Sequence, residues 1–350
     1  MNLDLLRRLS ETAGAPGREE RIRSIVIERL KPICDEISTD NLGNVIALKR
    51  GSGGKKAKPR QKLMISGHMD EISFLVTYID DEGFIRFTPL GGFDAKTLTA
   101  QRVIVHGSRD LLGVMGTKPV HLLSAEDRKV APKIEDYFID VGLPAGDVKK
   151  VVTIGDSITR QRELVEIGQT LNGKSFDNRI GLFVMLEAMG RLGAHEVDVY
   201  AVATAQEEIG VRGATVAARN INPDIGIALD ITVANDVPDA KAQDHVTNLG
   251  KGTAIKIMDS SVICHPKMVA FLRRLAKSEK IPHQLEILTR GGTDTSALQR
   301  AGSGSVAGCI SIPTRYVHSV IEMCHKDDIE ASIRLLVRAV EEAHREDFSL

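Results

Sequence analysis

Apolar residues along the chain repeat with two periods, and the architecture follows from where one gives way to the other. Over residues 18–31 (REERIRSIVIERLK), Ile22, Ile25, Val26 and Leu30 recur at helical spacing. The N-terminal MNLDLLRRLSETAG breaks its apolar positions with Asp4, Arg7 and Arg8, so it predicts a short amphipathic helix, not a signal peptide. NVIALK (44–49) and KLMISG (62–67) are short apolar runs that predict strands entering a sheet. Between them GSGGKKAKPR (51–60) has no apolar residue except Ala57 and reads as a mobile hairpin tip. It fails the G-x-x-x-x-G-K-[ST] pattern of a phosphate loop.

From about 72 to 166 the texture changes. SFLVTYI, FIRFTPL, RVIVHG, LLGVMG and YFIDVG alternate with turn signals such as Asp81-Glu82-Gly83 and Gly91-Gly92. Turns spaced roughly 8–12 residues apart, with little helical pattern, predict a small all-β domain inserted at 72–166. The flanking segments, 1–71 and 167–350, then form one α/β domain. After 170, helix and strand alternate: a helix over 178–193, a strand over 197–206, a helix near 211–219, strands near 224–230 and 253–258, and helices over 266–279 and 326–346. That alternation implies an α/β fold, its mixed, mainly parallel sheet covered by helices on both faces. No internal repeat is visible.

Composition narrows the partners. Of 350 residues, 42% are hydrophobic and 27% charged, the balance of a globular chain with a sizeable core. Net charge is −1, from 46 basic and 47 acidic residues, so no global field favours nucleic acid. No run reaches the roughly 20 apolar residues of a membrane span. Cys34, Cys264, Cys309 and Cys324 form no C-x-x-C pair, and their scatter fits reduced thiols in a cytoplasmic protein.

In sheets of this kind ligands gather beyond the carboxyl ends of the strands, so polar residues where an apolar strand runs out are the candidates. In LMISGHMDEI (63–72), His68 and Asp70 follow a strand two apart, a spacing that suits a metal-binding imidazole whose other ring nitrogen meets a carboxylate. The plainer reading is a solvated turn. Asp177, in GKSFDNRIG, precedes a strong helix and reads first as an N-cap; a carboxylate bridging two metals is the second reading, and the two are compatible. Glu207 and Glu208 end the apolar strand VDVYAVATAQ; adjacent carboxylates there repel unless a cation compensates. One could ligate a metal while the other takes a proton from water, provided the backbone turns. The alternative is a solvated pair at a helix start. Asp230 ends the strand DIGIALDIT, and His318 follows a strand and a proline turn in SIPTRYVHS, where a lone histidine is more commonly a surface residue. Nitrogen and oxygen donors without thiolate suit Zn²⁺, Co²⁺ or Mn²⁺.

The sequence resembles, through essentially its whole length, the dinuclear metallo-aminopeptidases that build tetrahedral (TET-type) particles, a family with glutamyl, leucyl and deblocking members and some labelled endoglucanase. The resemblance rests on GAPGRE (14–19), GHMDEI (67–72), PLGGFD (89–94), SFDNRIG (175–181), EEIGVRGA (207–214), ALD (228–230), GGTDTSALQ (291–299) and PTRYVHS (313–319), in that order. It departs modestly: Ser73 stands where glycine is common, and Thr295 where alanine is common. The resemblance implies a zinc-exopeptidase-like catalytic domain interrupted by a barrel-like dimerisation module at 72–166. It implies that His68 and Asp230 hold one metal, Glu208 and His318 the other, and Asp177 bridges them. Glu207 would be general base and then acid, and Asp70 would orient His68. Two divalent ions per subunit, Zn²⁺ first, and dimers assembling into a homo-dodecamer also follow from it.

The expected activity is therefore removal of N-terminal residues from peptides. A metal-dependent N-acylamino-acid amidohydrolase or carboxypeptidase would keep the same ligands and need a cation such as Arg290 or Arg315 for the substrate carboxylate. A glycosidase using Glu207 and Glu208 has little support in a chain without tryptophan. A non-catalytic oligomeric binding scaffold is the reading furthest from these.

Overall fold

The computed structural model describes residues 1–52 and 60–350; the expected hairpin tip at 51–60 falls largely outside the described residues. Early in the chain lie α1 (Leu3–Glu11), α2 (Glu20–Leu30), β1 (Glu36–Thr39), β2 (Val45–Lys49) and β3 (Lys62–His68). Next come β4 (Ser73–Ile79), β5 (Ile85–Leu90), β6 (Arg102–His106), β7 (Asp110–Gly116), β8 (Phe138–Asp140), α3 (Ala145–Val151) and β9 (Ser157–Arg160). Then follow β10 (Val165–Ile167), β11 (Thr170–Gly173), α4 (Phe176–Arg191), β12 (Asp198–Thr204), α5 (Arg212–Ile221), β13 (Ile225–Val233) and β14 (Thr253–Met258). The chain closes with α6 (Pro266–Ser278), β15 (His283–Ile287), α7 (Thr295–Gln299), β16 (Val306–Arg315), β17 (Glu322–His325) and α8 (Lys326–Glu342).

Among the described residues the larger sheet has eleven strands, with the path β1-β2-β12-β3-β13-β16-β17-β11-β10 and β14 and β15 branching from β16. Its centre, β12-β3-β13-β16, is parallel, and antiparallel strands flank it. The mixed α/β sheet is thus the expected one. Its central strands are buried on both faces, which explains why they read as unbroken apolar runs. Side chains alternate between two cores. Leu63, Ile65, Ile225, Ile227 and Leu229 join the α4 side, whereas Met64, Val202 and Ala228 pack with Ala217, Ile221 and Leu298 on the other. Helix α4 is apolar nearly all round because it lies between the sheet and α1 and α8.

Strands β4-β5-β8-β7-β6-β9 close into a separate six-stranded barrel with its own core, in which Phe74 stacks on Phe93 and meets Phe87 edge-on. The barrel strands run from Ser73 to Arg160, while β10 pairs with β11 in the larger sheet, so position 166 lies within a strand of that sheet. The inserted stretch also carries the short helix α3, which alternation alone did not predict. Only Met69–Ile72 separates β3 from the barrel, so the chain leaves the sheet where His68 stands.

Candidate metal and catalytic site

All seven expected residues converge at the carboxyl ends of β3, β12, β13 and β16. His68 is the last residue of β3, and Asp230 sits six residues into β13. After β12 the chain turns through Gln206, which takes a left-handed φ of 56°, and this turn brings Glu207 and Glu208 to the same side of the sheet. That resolves the conflict with strict strand alternation. His318 also stands in the left-handed region, at φ 63°, in a tight turn after β16. Pro313 is not part of that turn, as the sequence suggested; it lies within β16 opposite Thr232.

Asp177 is central. Although the helix assignment begins at Phe176, Asp177 and Asn178 have non-helical backbone, and Asp177 does not act as an N-cap. Its Oδ1 lies 3.0 Å from His68 Nε2 and its Oδ2 3.2 Å from His318 Nε2. Possible ligand atoms fall into two trios, His68–Asp177–Asp230 and Asp177–Glu208–His318, the atoms of each within 4.8 Å of one another. Asp177 belongs to both. Glu207 belongs to neither, yet its Oε2 is 3.9 Å from His68 Nε2 and it lines the same cleft.

The electrostatics fit a cation. Burial pushes Glu207, Glu208 and Asp230 well above the usual carboxylate range; neighbouring carboxylates add to this and His68 opposes it. Burial acts on Asp177 too, but hydrogen bonds from His318 and His68 hold it below its ordinary value. Glu208 Oε1 is buried without a hydrogen-bond partner. An orphaned carboxylate oxygen among crowded carboxylates is what a divalent ion would satisfy, and a set of imidazole nitrogens and carboxylate oxygens suits Zn²⁺, Co²⁺ or Mn²⁺.

Asp70 differs in detail from the expectation. His68 Nδ1 meets the main-chain carbonyl of Asp70 at 3.0 Å, and the Asp70 carboxylate is further away at 3.5 Å. That carboxylate accepts the main-chain N–H groups of Glu207 and Glu208, each at 3.0 Å. Asp70 therefore touches His68 chiefly through its backbone and holds the glutamate turn with its side chain.

Several residues at the site escaped the sequence reading. Glu19 accepts N–H groups from Gly17 and Gln206, and burial raises it to about 7. Asp294 is fully buried and accepts from Thr204 Oγ1 at 2.7 Å, and burial raises its carboxyl above the usual range. Glu322 and Arg160 lie behind His318. The motifs around Glu19 and Asp294 were visible, but nothing in their spacing signalled where they would pack.

The cleft has a volume of about 460 Å³ and is walled by Ile231, Val233, Leu288, Arg290, Gly292 and Thr293 beside the metal-type residues. Arg315 is engaged by Asp236 at 2.7 and 2.8 Å, which leaves Arg290 as the cationic side chain on the wall. Ser73 and Thr295, the two departures from the family pattern, are buried and lie outside both trios.

A family model described as M42 glutamyl aminopeptidase matches residues 43–335. The chain is 36% identical to the lysyl aminopeptidase of Pyrococcus furiosus over 355 residues, covering 99% of each. It superimposes on an aminopeptidase of the archaeon Desulfurococcus kamchatkensis with a TM-score of 0.92 and 38% identity, covering 97% of this chain and 94% of that one. The Pyrococcus horikoshii TET1 peptidase, described as able to assemble into a tetrahedron or a large octahedral shell, is 30% identical with a TM-score of 0.85; the coverage is 97% of this chain and 99% of that one.

Proposed function

The chain belongs to the M42 glutamyl aminopeptidase family, whose members are metallopeptidases, and on that footing we propose that it is a two-metal aminopeptidase removing N-terminal residues from peptides. One observation carries the reading: two ligand trios share Asp177, while Glu207 stands beside them and belongs to neither. In this reading His68 and Asp230 would hold one divalent cation and Glu208 and His318 the other, Asp177 being available to both, with Zn²⁺ the first choice over Co²⁺ and Mn²⁺.

Cations held there would supply Lewis acidity towards water and the scissile carbonyl. The rest falls to the protein. Glu207 takes the proton of the attacking water at its carboxylate and returns it to the leaving amine. Asp70 fixes the main chain of Glu207 and Glu208.

The division into a catalytic domain and an inserted dimerisation module, expected over 72–166 and with its barrel strands over 73–160, belongs to the same proposal, as does assembly of dimers into a dodecamer. Exposed Leu112, Val114, Val120 and Leu122 between 110 and 122 offer apolar surface for a second copy. All four cysteines are unpaired, which supports a reducing, cytoplasmic setting. Among the described residues no helix is long and apolar enough to cross a membrane.

The test is hydrolysis of free-amino aminoacyl-p-nitroanilides against their N-acetylated counterparts, by protein stripped of metal and reloaded with Zn²⁺, Co²⁺ or Mn²⁺. Turnover should be confined to free-amino substrates and restored by metal. Glu207→Gln should lower it by about 10²–10⁴-fold while metal content is kept. Cleavage of only the blocked substrates would replace this reading with an acylamino-acid hydrolase.

A further inference from the structure

His318 is held from three directions. Glu322, the first residue of β17, accepts the His318 N–H on Oε1 at 2.8 Å and the Asp177 N–H on Oε2 at 3.2 Å. Arg160, the last residue of β9 in the barrel, donates from Nη1 to the His318 carbonyl at 3.2 Å, with its guanidinium over the Phe93 ring at 5.3 Å. The main chain of Gly92, in the loop after β5, hydrogen-bonds the His318 ring. Glu322 and Arg160 are each 1% exposed.

We propose that Glu322 is a positioning residue that sets the separation of Asp177 and His318, and that Arg160 completes the bracket from the barrel. One carboxylate takes the main-chain amides of two side chains whose ligand atoms face each other at 3.2 Å, so its rigidity passes to that spacing. His318 adopts a left-handed backbone that a non-glycine residue keeps only where its surroundings impose it, and both its N–H and its carbonyl are pinned. Glu322 is itself fixed, because β17 pairs with β11 and Asn172 Nδ2 donates to the carbonyls of Ile321 and Glu322 at 2.7 and 3.2 Å. Arg160 places a positive charge near the buried carboxylate that opposes the cost of its burial only in part, and a buried carboxylate kept for packing alone would be costly.

The inference rests on the reading that Asp177, Glu208 and His318 hold a cation. It assigns Glu322 to that trio and only indirectly, through the shared Asp177, to the trio of His68 and Asp230. The experiment is titration of the metal-stripped full-length protein with Co²⁺, followed by visible absorption and by calorimetry, together with the thermal midpoint of the stripped protein. Wild type should take up two equivalents. Glu322→Gln, which replaces one acceptor by a donor facing an N–H, should weaken one equivalent by about 10–100-fold, change its cobalt spectrum and leave the other nearly intact. Its stripped thermal midpoint should stay near that of stripped wild type. Glu322→Asp, which keeps the charge but has a shorter reach, should shift the same equivalent by an intermediate amount. A Glu322→Gln titration superimposable on wild type overturns the proposal, as does a loss of stripped stability with unchanged metal affinity. If Glu322→Gln does not fold, Glu322→Asp decides alone: a wild-type titration overturns the proposal. Wild type that takes up no cobalt would instead overturn the metal reading itself, and this inference with it.

Discussion

Asp70 combines two contacts that a two-residue motif cannot separate: its carbonyl meets the His68 ring, and its carboxylate holds the amides of Glu207 and Glu208. Asp70→Asn replaces one of two acceptors by a donor, so the glutamate turn should loosen while the His68 contact survives. Turnover and metal affinity are expected to fall together, by about 10–100-fold, read by steady-state kinetics beside metal analysis. Arg290 is the side chain with most to say about substrate choice. It is exposed on the cleft wall and has no ion pair among the described residues. N-terminal glutamate should therefore be preferred over lysine by a few-fold, the size of one solvated ion pair. In Arg290→Glu that ratio should invert on a paired glutamyl and lysyl nitroanilide assay; an unchanged ratio would remove Arg290 from specificity. Most of the seven candidate residues were nameable from sequence because they stand where an apolar strand runs out, whereas Asp177 stands at the start of α4 and Asp230 lies inside β13. Glu322 was not nameable, since its meaning lies in two amides, one of them 145 positions away.

At the scale of elements, the start of α4 depends on a buried charge cluster. Glu71 accepts from Lys174 Nζ at 2.7 Å and Ser175 Oγ at 2.5 Å, and Arg179 Nη2 lies 3.6 Å away. Arg179 also donates to the carbonyls of Met69, Leu9 and Thr12, tying α1 and the end of β3 to the helix. Removing the carboxylate leaves two buried cations without their partner, so Glu71→Ala should cost about 3–5 kcal/mol in denaturant unfolding. A change under ~1 kcal/mol would mean that the cations find water. Another contact joins α2 to the barrel: Arg21 pairs with Asp110 at 2.6 and 2.9 Å, and His106 supports the same carboxylate. Arg21 holds Asp110 down to about 2, burial opposing it. Because the folded pKa lies below the unfolded value of about 3.9, the contact stabilises fully above pH ~4 and is lost as pH falls towards 2. Both side chains are substantially exposed, so Asp110→Asn should cost only some tenths of a kcal/mol near neutrality. The gap in urea midpoint should close on acidification. Helix and strand types were legible wherever the period was clean, as in α2 and β3. Asp177 was not, because a helix N-cap and a bridging carboxylate use the same residue at the same place.

For the whole molecule, the barrel and the sheet each have a core, and the site lies where the chain passes between them. Sedimentation should find a particle well above the monomer. Leu112→Glu with Val114→Glu, which puts charge on exposed apolar positions of β7, should shift it towards smaller species with the fold retained. Particles of unchanged size would place the interface elsewhere. Smaller species need not lose metal, because neither substituted residue touches a trio.

What the sequence determined by itself was local and periodic: which segments are helix or strand, that an all-β stretch interrupts an α/β one, and which polar residues end apolar strands. These follow because periods of 3.6 and 2 are imposed on each segment by its own burial. The tertiary structure alone decided distances and partners. It placed Asp177 between two imidazoles, turned the backbone at Gln206 so that adjacent glutamates share a side, and set Glu322 behind two residues far apart in the chain. Those are contacts across strands and between the barrel and the sheet, and no spacing along one chain encodes which amide a buried carboxylate will meet.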